Sequence, residues 1–310
     1  MDAIFTDAGS PTGFSFRKTV IPNATPDQAL IKVRAFSLNQ GETRTALAAT
    51  NSYIPGWDYA GIVVRSAADG SSPKEGARVF GYVARGSWAA YLAAPGGLMA
   101  ETPEGVSDAQ AACLPIAGLT ALACLDASGN IRDRRVLITG AAGGVGRFAC
   151  QLAAIAGAKV FAVSRRDGLM SLLQRDGVEP SGIFTNMAAA KAAGQYDLIW
   201  DSVGGDTLAT ALTALSRGGI CINFGNSSRL PTTSNVRAEE WPFHSVQCIW
   251  LGREPVYPSS PLLDRLGRML QEKRLFTPID SELPWTGIGD ATDRLLKQLV
   301  NGKIVLHVEE

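Results

Sequence analysis

Three glycines, Gly140-x-x-Gly143-x-x-Gly146, follow the β-branched and aliphatic run Val136 to Thr139. They open a segment in which Val145, Phe148, Ala149, Leu152, Ile155 and Ala156 repeat at helical spacing. Gly144 adds a fourth residue without a side chain. A strand, a glycine turn and a helix in this order can hold a pyrophosphate. One glycine permits the tight turn, one lets backbone amides come close to the phosphates, and one lets helix and strand pack. The first helical N–H groups, unpaired within the helix and at its positive end, then face the anion. A second apolar run, Val160 to Val163, closes a βαβ unit. Sites for NAD usually carry an acid about twenty residues beyond the glycines, where it bonds the ribose 2′-hydroxyl. Here Ser164-Arg165-Arg166 stands in that place, and two guanidinium groups with a hydroxyl suit a 2′-phosphate instead. Asp167 is close enough to compete for one of the arginines. The expected cofactor is NADPH.

The rest of the chain must position such a site. Its 310 residues exceed what one compact core usually holds, so two domains are expected. Lys plus Arg and Asp plus Glu number 29 each, a balance that points away from nucleic acid and anionic membranes. Cys113, Cys124, Cys150, Cys221 and Cys248 are scattered and form no C-x-x-C pair, so buried reduced thiols are expected rather than disulfides or zinc. The N-terminal stretch lacks the basic region and apolar core of a secretory signal, and a cytoplasmic location is the expectation. The longest uncharged run, between Asp108 and Asp126, is interrupted by Pro115 and Gly118 and reads as a buried junction between domains rather than a membrane span.

Residues 1 to about 116 are β-rich, with apolar runs at Ala29 to Val33, Ala60 to Val64, Arg78 to Val83 and Trp88 to Ala93 between turn-forming clusters. From Ile116 the rhythm becomes α/β. Strands are expected at Gly182 to Phe184, Asp197 to Asp201 and Gly219 to Phe224, with a helix carrying Leu208, Ala211, Leu212 and Leu215, and a sixth parallel strand at Val246 to Leu251. The loops Asp201 to Gly205 and Phe224 to Ser228 should face the cofactor, because ligands of doubly wound sheets lie beyond the carboxyl ends of the strands. The tail has one helix with Leu262, Leu263, Leu266, Met269 and Leu270, another with Ala291, Leu295, Leu296 and Leu299, and a last strand Ile304 to Val308. It is either a small third unit or a completion of the first domain, and so few residues favour completion.

Other chemistries lack their residues. The two histidines, His244 and His307, are far apart and read as structural or surface residues. No tyrosine has a lysine four positions later, and no G-x-S-x-G nucleophile elbow occurs. The chemistry is therefore left to the cofactor.

Over nearly its whole length the chain resembles the zinc-independent medium-chain dehydrogenases/reductases of the quinone oxidoreductase, zeta-crystallin-like branch. The matching stretches are Ser37 to Gly41, Tyr53 to Gly61, Gly86 to Tyr91, Ala117 to Ala121, Gly140 to Gly146, Asp201 to Gly205, Phe224 to Ser228 and Gly302 to Leu306. The resemblance implies a Rossmann doubly wound parallel sheet, residues 117–250, inserted in a GroES-like β-rich domain made of 1–116 and 251–310. It implies a cleft between the domains where nicotinamide meets substrate. In zinc-containing relatives a Cys takes the slot of Asn39 and a His-Glu pair the slots of Trp57-Asp58. Asn and Trp cannot replace thiolate and imidazole as ligands, so no metal is expected.

Without a Lewis acid the oxidation of an alcohol is disfavoured, whereas a quinone or an α,β-unsaturated carbonyl accepts hydride with help from a hydrogen-bond donor alone. Tyr53 and Asn39 are the expected donors, against their plainer roles as a loop tyrosine and a capping asparagine. By the same resemblance Thr120 and Val203 flank the nicotinamide. Gly143, Gly144 and Val145 hold the pyrophosphate, Lys303 lies on the phosphate side, and Gly225 and Asn226 lie beside the nicotinamide ribose. The expected partner is a small electrophilic acceptor. An enoyl-thioester reductase and a non-enzymatic NADPH-binding sensor or structural protein are the alternatives, since substrate choice resides in loops such as Ala46 to Ile54 and Arg229 to Phe243. Relatives dimerise through the edge strand of the Rossmann sheet, and Val246 to Leu251 is apolar enough for a homodimer.

Overall fold

The computed structural model describes residues 1–234, 245–249 and 258–309. The chain begins with β1 (Asp2–Thr6), β2 (Phe14–Lys18), β3 (Gln28–Ser37), α1 (Gln40–Leu47), β4 (Asp58–Arg65), β5 (Arg78–Tyr82), β6 (Tyr91–Pro95) and β7 (Met99–Glu101), followed by α2 (Asp108–Ala112) and α3 (Pro115–Ser128). The α/β part runs β8 (Arg135–Thr139), α4 (Gly144–Ile155), β9 (Lys159–Val163), α5 (Leu169–Arg175), β10 (Gly182–Phe184), α6 (Met187–Ala192), β11 (Tyr196–Asp201), α7 (Gly205–Leu212), β12 (Leu215–Asn223) and β13 (Ser245–Cys248). The tail adds α8 (Ser260–Gln271), β14 (Ile279–Pro284), α9 (Ile288–Leu296) and β15 (Lys303–His307). Two compact units result: Met1–Leu119 with Leu251–Glu310, and Thr120–Trp250, the boundary falling inside α3.

In the first unit β1 and β2 form an antiparallel pair, and the main sheet runs β14-β15-β3-β4-β5-β7, with β6 also on β3. Strand β3 alternates as a sheet with one packed face must: Ala29, Ile31 and Val33 are buried with Tyr59, Val63, Val79, Leu92 and Met99. A second cluster gathers Phe36, Leu38, Trp88, Trp285, Ile304 and Leu306, with Trp88 stacked on Phe36 at 5.8 Å between centroids and met edge-on by Phe14. The tail joins this unit through β15, antiparallel to β3 with Val305 opposite Ser37.

The second unit is a six-stranded parallel sheet of order β10-β9-β8-β11-β12-β13, with the first strand, β8, central and the order reversing beside it. Its sixth strand is Ser245–Cys248, all four residues exposed at the sheet edge; Trp250 and Leu251 of the expected run lie outside the described residues. Leu215 is corrected. It begins β12 instead of continuing the stripe of α7, because the helix stops at Leu212 and the chain turns at once into the sheet. Leu299 likewise falls beyond α9 and is 64% exposed.

Four of the five cysteines are buried and free, and Cys248 is exposed, which corrects the expectation at that position. Burial pushes the thiol of Cys113 up to about 12 and raises Cys124, Cys150 and Cys221 further. His307 sits on the surface with Nε2 2.7 Å from Glu282 Oε2, whereas His244 lies outside the described residues. No helix among the described residues is long and apolar enough to cross a membrane.

Candidate active site

In the α/β unit, β8 ends in Thr139 and the chain turns at Gly140, whose φ of 61° lies in the region open to glycine. The turn is held by Gly143 N–H donating to Gly140 O at 2.9 Å and Ala141 N–H donating to Val163 O at 3.1 Å. Gly143 is the N-cap of α4 and brings no side chain to satisfy the first-turn amides, so those of Gly144, Val145 and Gly146 are left for an anion. A Cβ on Gly146 would stand 2.3 Å from Gly140 O and 2.8 Å from Ala141 Cα. The loop thus lies directly on the helix backbone, and these residues fit a pyrophosphate. Arg147, in the same turn, faces inward: it is 5% exposed and clamps Asp176, its Nε 2.7 Å from Oδ2. Its charge is neutralised there.

At the carboxyl end of β9, Ser164 is buried, its Oγ accepting from Arg166 N–H at 3.1 Å. Arg165 is exposed and Arg166 half-buried. Thr120 is 6% exposed on α3; Val203 and Gly225 are half-buried, and Asn226 is exposed. Val203, Gly225 and Asn226 all lie in the two loops that follow β11 and β12, at the carboxyl edge of the sheet.

The first unit builds a polar cluster where β3, α1, β4 and β15 meet. Asn39 is the N-cap of α1, in an extended conformation. Glu42, three residues on, folds back so that Oε1 accepts from Asn39 N–H at 2.7 Å and from Asn39 Nδ2 at 3.0 Å, while Oε2 accepts from Trp57 N–H at 2.5 Å. Asp58, fully buried, receives Ser37 Oγ at 2.8 Å and Asn39 Nδ2 at 2.8 Å on Oδ2, and Ile116 N–H at 3.0 Å on Oδ1. Extending the antiparallel register of β15 on β3 brings Lys303 opposite Asn39. Its ammonium donates to Leu38 O at 2.8 Å, Asn39 Oδ1 at 2.5 Å and Asp58 Oδ2 at 3.2 Å.

Two of the expected site residues have internal partners. Lys303, implied on the phosphate side, is 3% exposed, and its three donors are all engaged within the first unit. Asn39, expected as a donor to substrate, gives both amide hydrogens to Glu42 and Asp58; its capping role is the one seen. Tyr53 differs. Its backbone is clamped to β1, N–H to Thr6 Oγ1 at 3.0 Å and carbonyl from Thr6 N–H at 2.9 Å, while among the described residues no hydrogen-bond partner meets its phenol. Burial raises the phenol pKa, with Arg85 opposing and Glu42 assisting, so Tyr53 stays a proton donor at neutral pH. Trp57 lays its ring end on the backbone of Gly41, where a Cβ would come within 2.8 Å.

Burial, and after it the charge of Asp58, pushes Glu42 up to about 8 against the opposing pull of Lys303 and the Asn39 donors. A carboxyl raised on folding contributes stability that is complete below its unfolded pKa and is lost as pH rises through the folded one. Between about pH 4.5 and 8 the wild type should lose at most about 1.4 kcal/mol per pH unit from this group. Urea unfolding of Glu42→Gln should lack that slope; parallel pH profiles for the two proteins would contradict it.

Sequence reasoning missed Glu42, Asp58 and Ser37. Asn39 followed three residues later by Glu42 is a helix-start signature and was visible. Asp58 heading a strand that carries no further charge until Arg65 was a second signal.

A glycine-lined helix N-terminus at the reversal point of a 3-2-1-4-5-6 parallel sheet defines a dinucleotide-binding protein, here carrying a mainly antiparallel second unit. Residues 25–104 match the family model of the alcohol dehydrogenase GroES-like domain, and residues 181–306 that of zinc-binding dehydrogenases. The chain is 28% identical to a 2-methylene-furan-3-one reductase of Solanum lycopersicum, over 98% of this chain and 78% of the relative. It is 29% identical to a chloroplastic quinone-oxidoreductase homolog of Spinacia oleracea, over 93% and 92%. The quinone oxidoreductase of Coxiella burnetii superposes with a TM-score of 0.85 at 26% identity, covering 100% of this chain and 99% of that one. The chain belongs to the medium-chain dehydrogenase/reductase family. Among the described residues no group of three His, Cys, Asp or Glu side chains could hold a metal ion.

Proposed function

We propose that this protein reduces quinones or α,β-unsaturated ketones with NADPH. The observation that carries the reading is the donor inventory of the cluster at the head of α1. An internal ammonium, Lys303, is the cation there and Asn39 is fully engaged. Thr43 Oγ1 has no partner but is fully buried, whereas Tyr53, whose phenol meets no hydrogen-bond partner among the described residues, is partly exposed and feels the charge of Glu42. When bound, the reduced nicotinamide supplies the hydride. The amides of Gly144, Val145 and Gly146 hold the pyrophosphate, and Arg165 and Arg166, with Ser164 bracing the turn, take the 2′-phosphate. Thr120, Val203, Gly225 and Asn226 line the nicotinamide half. Tyr53 donates a hydrogen bond to the acceptor oxygen, stabilises the charge that develops there, and delivers the proton. The named activities of the tomato and spinach relatives, reduction of a methylene-furanone and of quinones, fit an electron-poor acceptor of this kind.

Tyr53→Phe tests the donor. A panel of quinones and enones should show kcat/KM for the best acceptor falling about a hundredfold with the KM for NADPH unchanged. An unchanged kcat/KM removes Tyr53 from the chemistry, and no turnover of any acceptor by wild type removes the reductase reading.

A further inference from the structure

The two loops expected to face the nicotinamide are tied to the glycine turn through one buried carboxylate. Asp201, the last residue of β11, is fully buried, and its described hydrogen-bond partners are uncharged. Oδ1 accepts from Thr139 Oγ1 at 2.6 Å, at the end of β8. Oδ2 accepts from Gly204 N–H at 2.9 Å and from Asn223 Nδ2 at 2.8 Å, at the end of β12. Each donor belongs to a different segment. Thr139 immediately precedes the glycine turn, Gly204 the first turn of α7, and Asn223 the loop from Phe224 to Ser228.

The surrounding bonds extend the same frame. Thr139 Oγ1 also accepts from Ser202 N–H at 3.1 Å, and Ser202 Oγ donates to Thr139 O at 3.0 Å. Asn223 Nδ2 reaches Gly225 O at 2.9 Å, Ser227 N–H donates to Ser202 O at 3.1 Å, and Ser228 N–H donates to Val203 O at 2.9 Å. Gly204, at φ 70° and ψ −164°, holds a conformation that side-chain-bearing residues avoid, and its amide is fixed by Asp201. A buried carboxylate without a cation persists only where its lone pairs are satisfied, so the three donors are held to it firmly.

We infer that Asp201 is a positioning residue for the nicotinamide half of the cofactor site, acting through Gly204 and Asn223 on Val203, Gly225 and Asn226. This rests on the NADPH reading above. Asp201 fixes where those loops stand relative to the glycine turn, while the adenosine half depends on α4 and on Ser164 to Arg166. Disturbing it should therefore weaken the two halves unequally.

The experiment measures dissociation constants, without turnover, for NADPH and for adenosine 2′,5′-bisphosphate by calorimetric titration of wild type, Asp201→Ala, Asp201→Asn and Asn223→Ala. Asn223→Ala keeps the carboxylate and its other two donors, so it reports even if Asp201→Ala does not fold. The Kd for NADPH should rise about tenfold in Asp201→Ala and Asn223→Ala, that for adenosine 2′,5′-bisphosphate should stay within about twofold, and Asp201→Asn should recover most of the loss. Unchanged NADPH affinity in Asn223→Ala, or equal loss for both ligands, would overturn the inference. Wild type that fails to bind adenosine 2′,5′-bisphosphate but binds NADH would overturn the NADPH reading, and NADH with adenosine 5′-monophosphate then replaces the two ligands in the same comparison.

Discussion

Replacing Lys303 with methionine is expected to destabilise the protein by about 3–5 kcal/mol, because Asp58 then keeps a fully buried negative charge beside a second buried carboxyl with no cation between them. The methionine fills a similar volume, so the loss reports charge rather than packing. Asp58 retains Ser37, Asn39 and the Ile116 amide as donors, which soften but do not remove the deficit. Adding Asp58→Asn should recover a large part of the stability, since the pair is then removed together instead of broken. Urea unfolding of the single and double variants measures both effects. A loss below about 1 kcal/mol would show that the ammonium is not the cation on which the cluster depends. NADPH affinity of the folded fraction should be unchanged; a selective loss there would return Lys303 to the phosphate side.

The second large effect is expected at Gly146. Alanine there puts a methyl group into the carbonyl of Gly140 and the Cα of Ala141, both backbone, at separations that no side-chain adjustment relieves. The turn must move away from α4. Overpacking of this kind costs about 1–3 kcal/mol, and an ångström of displacement between amides and phosphate is worth about a hundredfold in binding or rate. Thermal unfolding with a Kd for NADPH measures both, and wild-type affinity in Gly146→Ala would mean that the phosphates do not rest on this turn.

The legible parts of this chain were those written in local pattern. The glycine spacing, the stripe of α4 and the apolar run of β9 each declare their structure within a few residues, and the alternation of strands with helices points to a parallel sheet with right-handed crossovers. The pair β1 and β2 was not legible, because only Phe14 of β2 is buried and its pattern does not alternate over enough residues. Leu215 was drawn into α7 because an apolar residue three positions after Leu212 fits a helix as well as the start of a strand. The partners of Asn39 and Lys303 were not legible for a different reason. They are 264 residues apart, and only the pairing of β15 with β3 brings the ammonium to the amide oxygen. The Asp201 hub is likewise a product of three parallel strand ends meeting.

Arg165 and Arg166, at the end of β9, carry the claim that the hydride comes from the phosphorylated cofactor. The direct test is steady-state oxidation of NADPH and of NADH, with one quinone and one enone as acceptors, by wild type and by Arg165→Ala/Arg166→Ala. Wild type should turn over NADPH with the lower KM, and the double variant should raise that KM by about tenfold or more while leaving the KM for NADH nearly unchanged. Turnover with NADH and none with NADPH, or equal effects of the substitutions on both cofactors, would contradict the account.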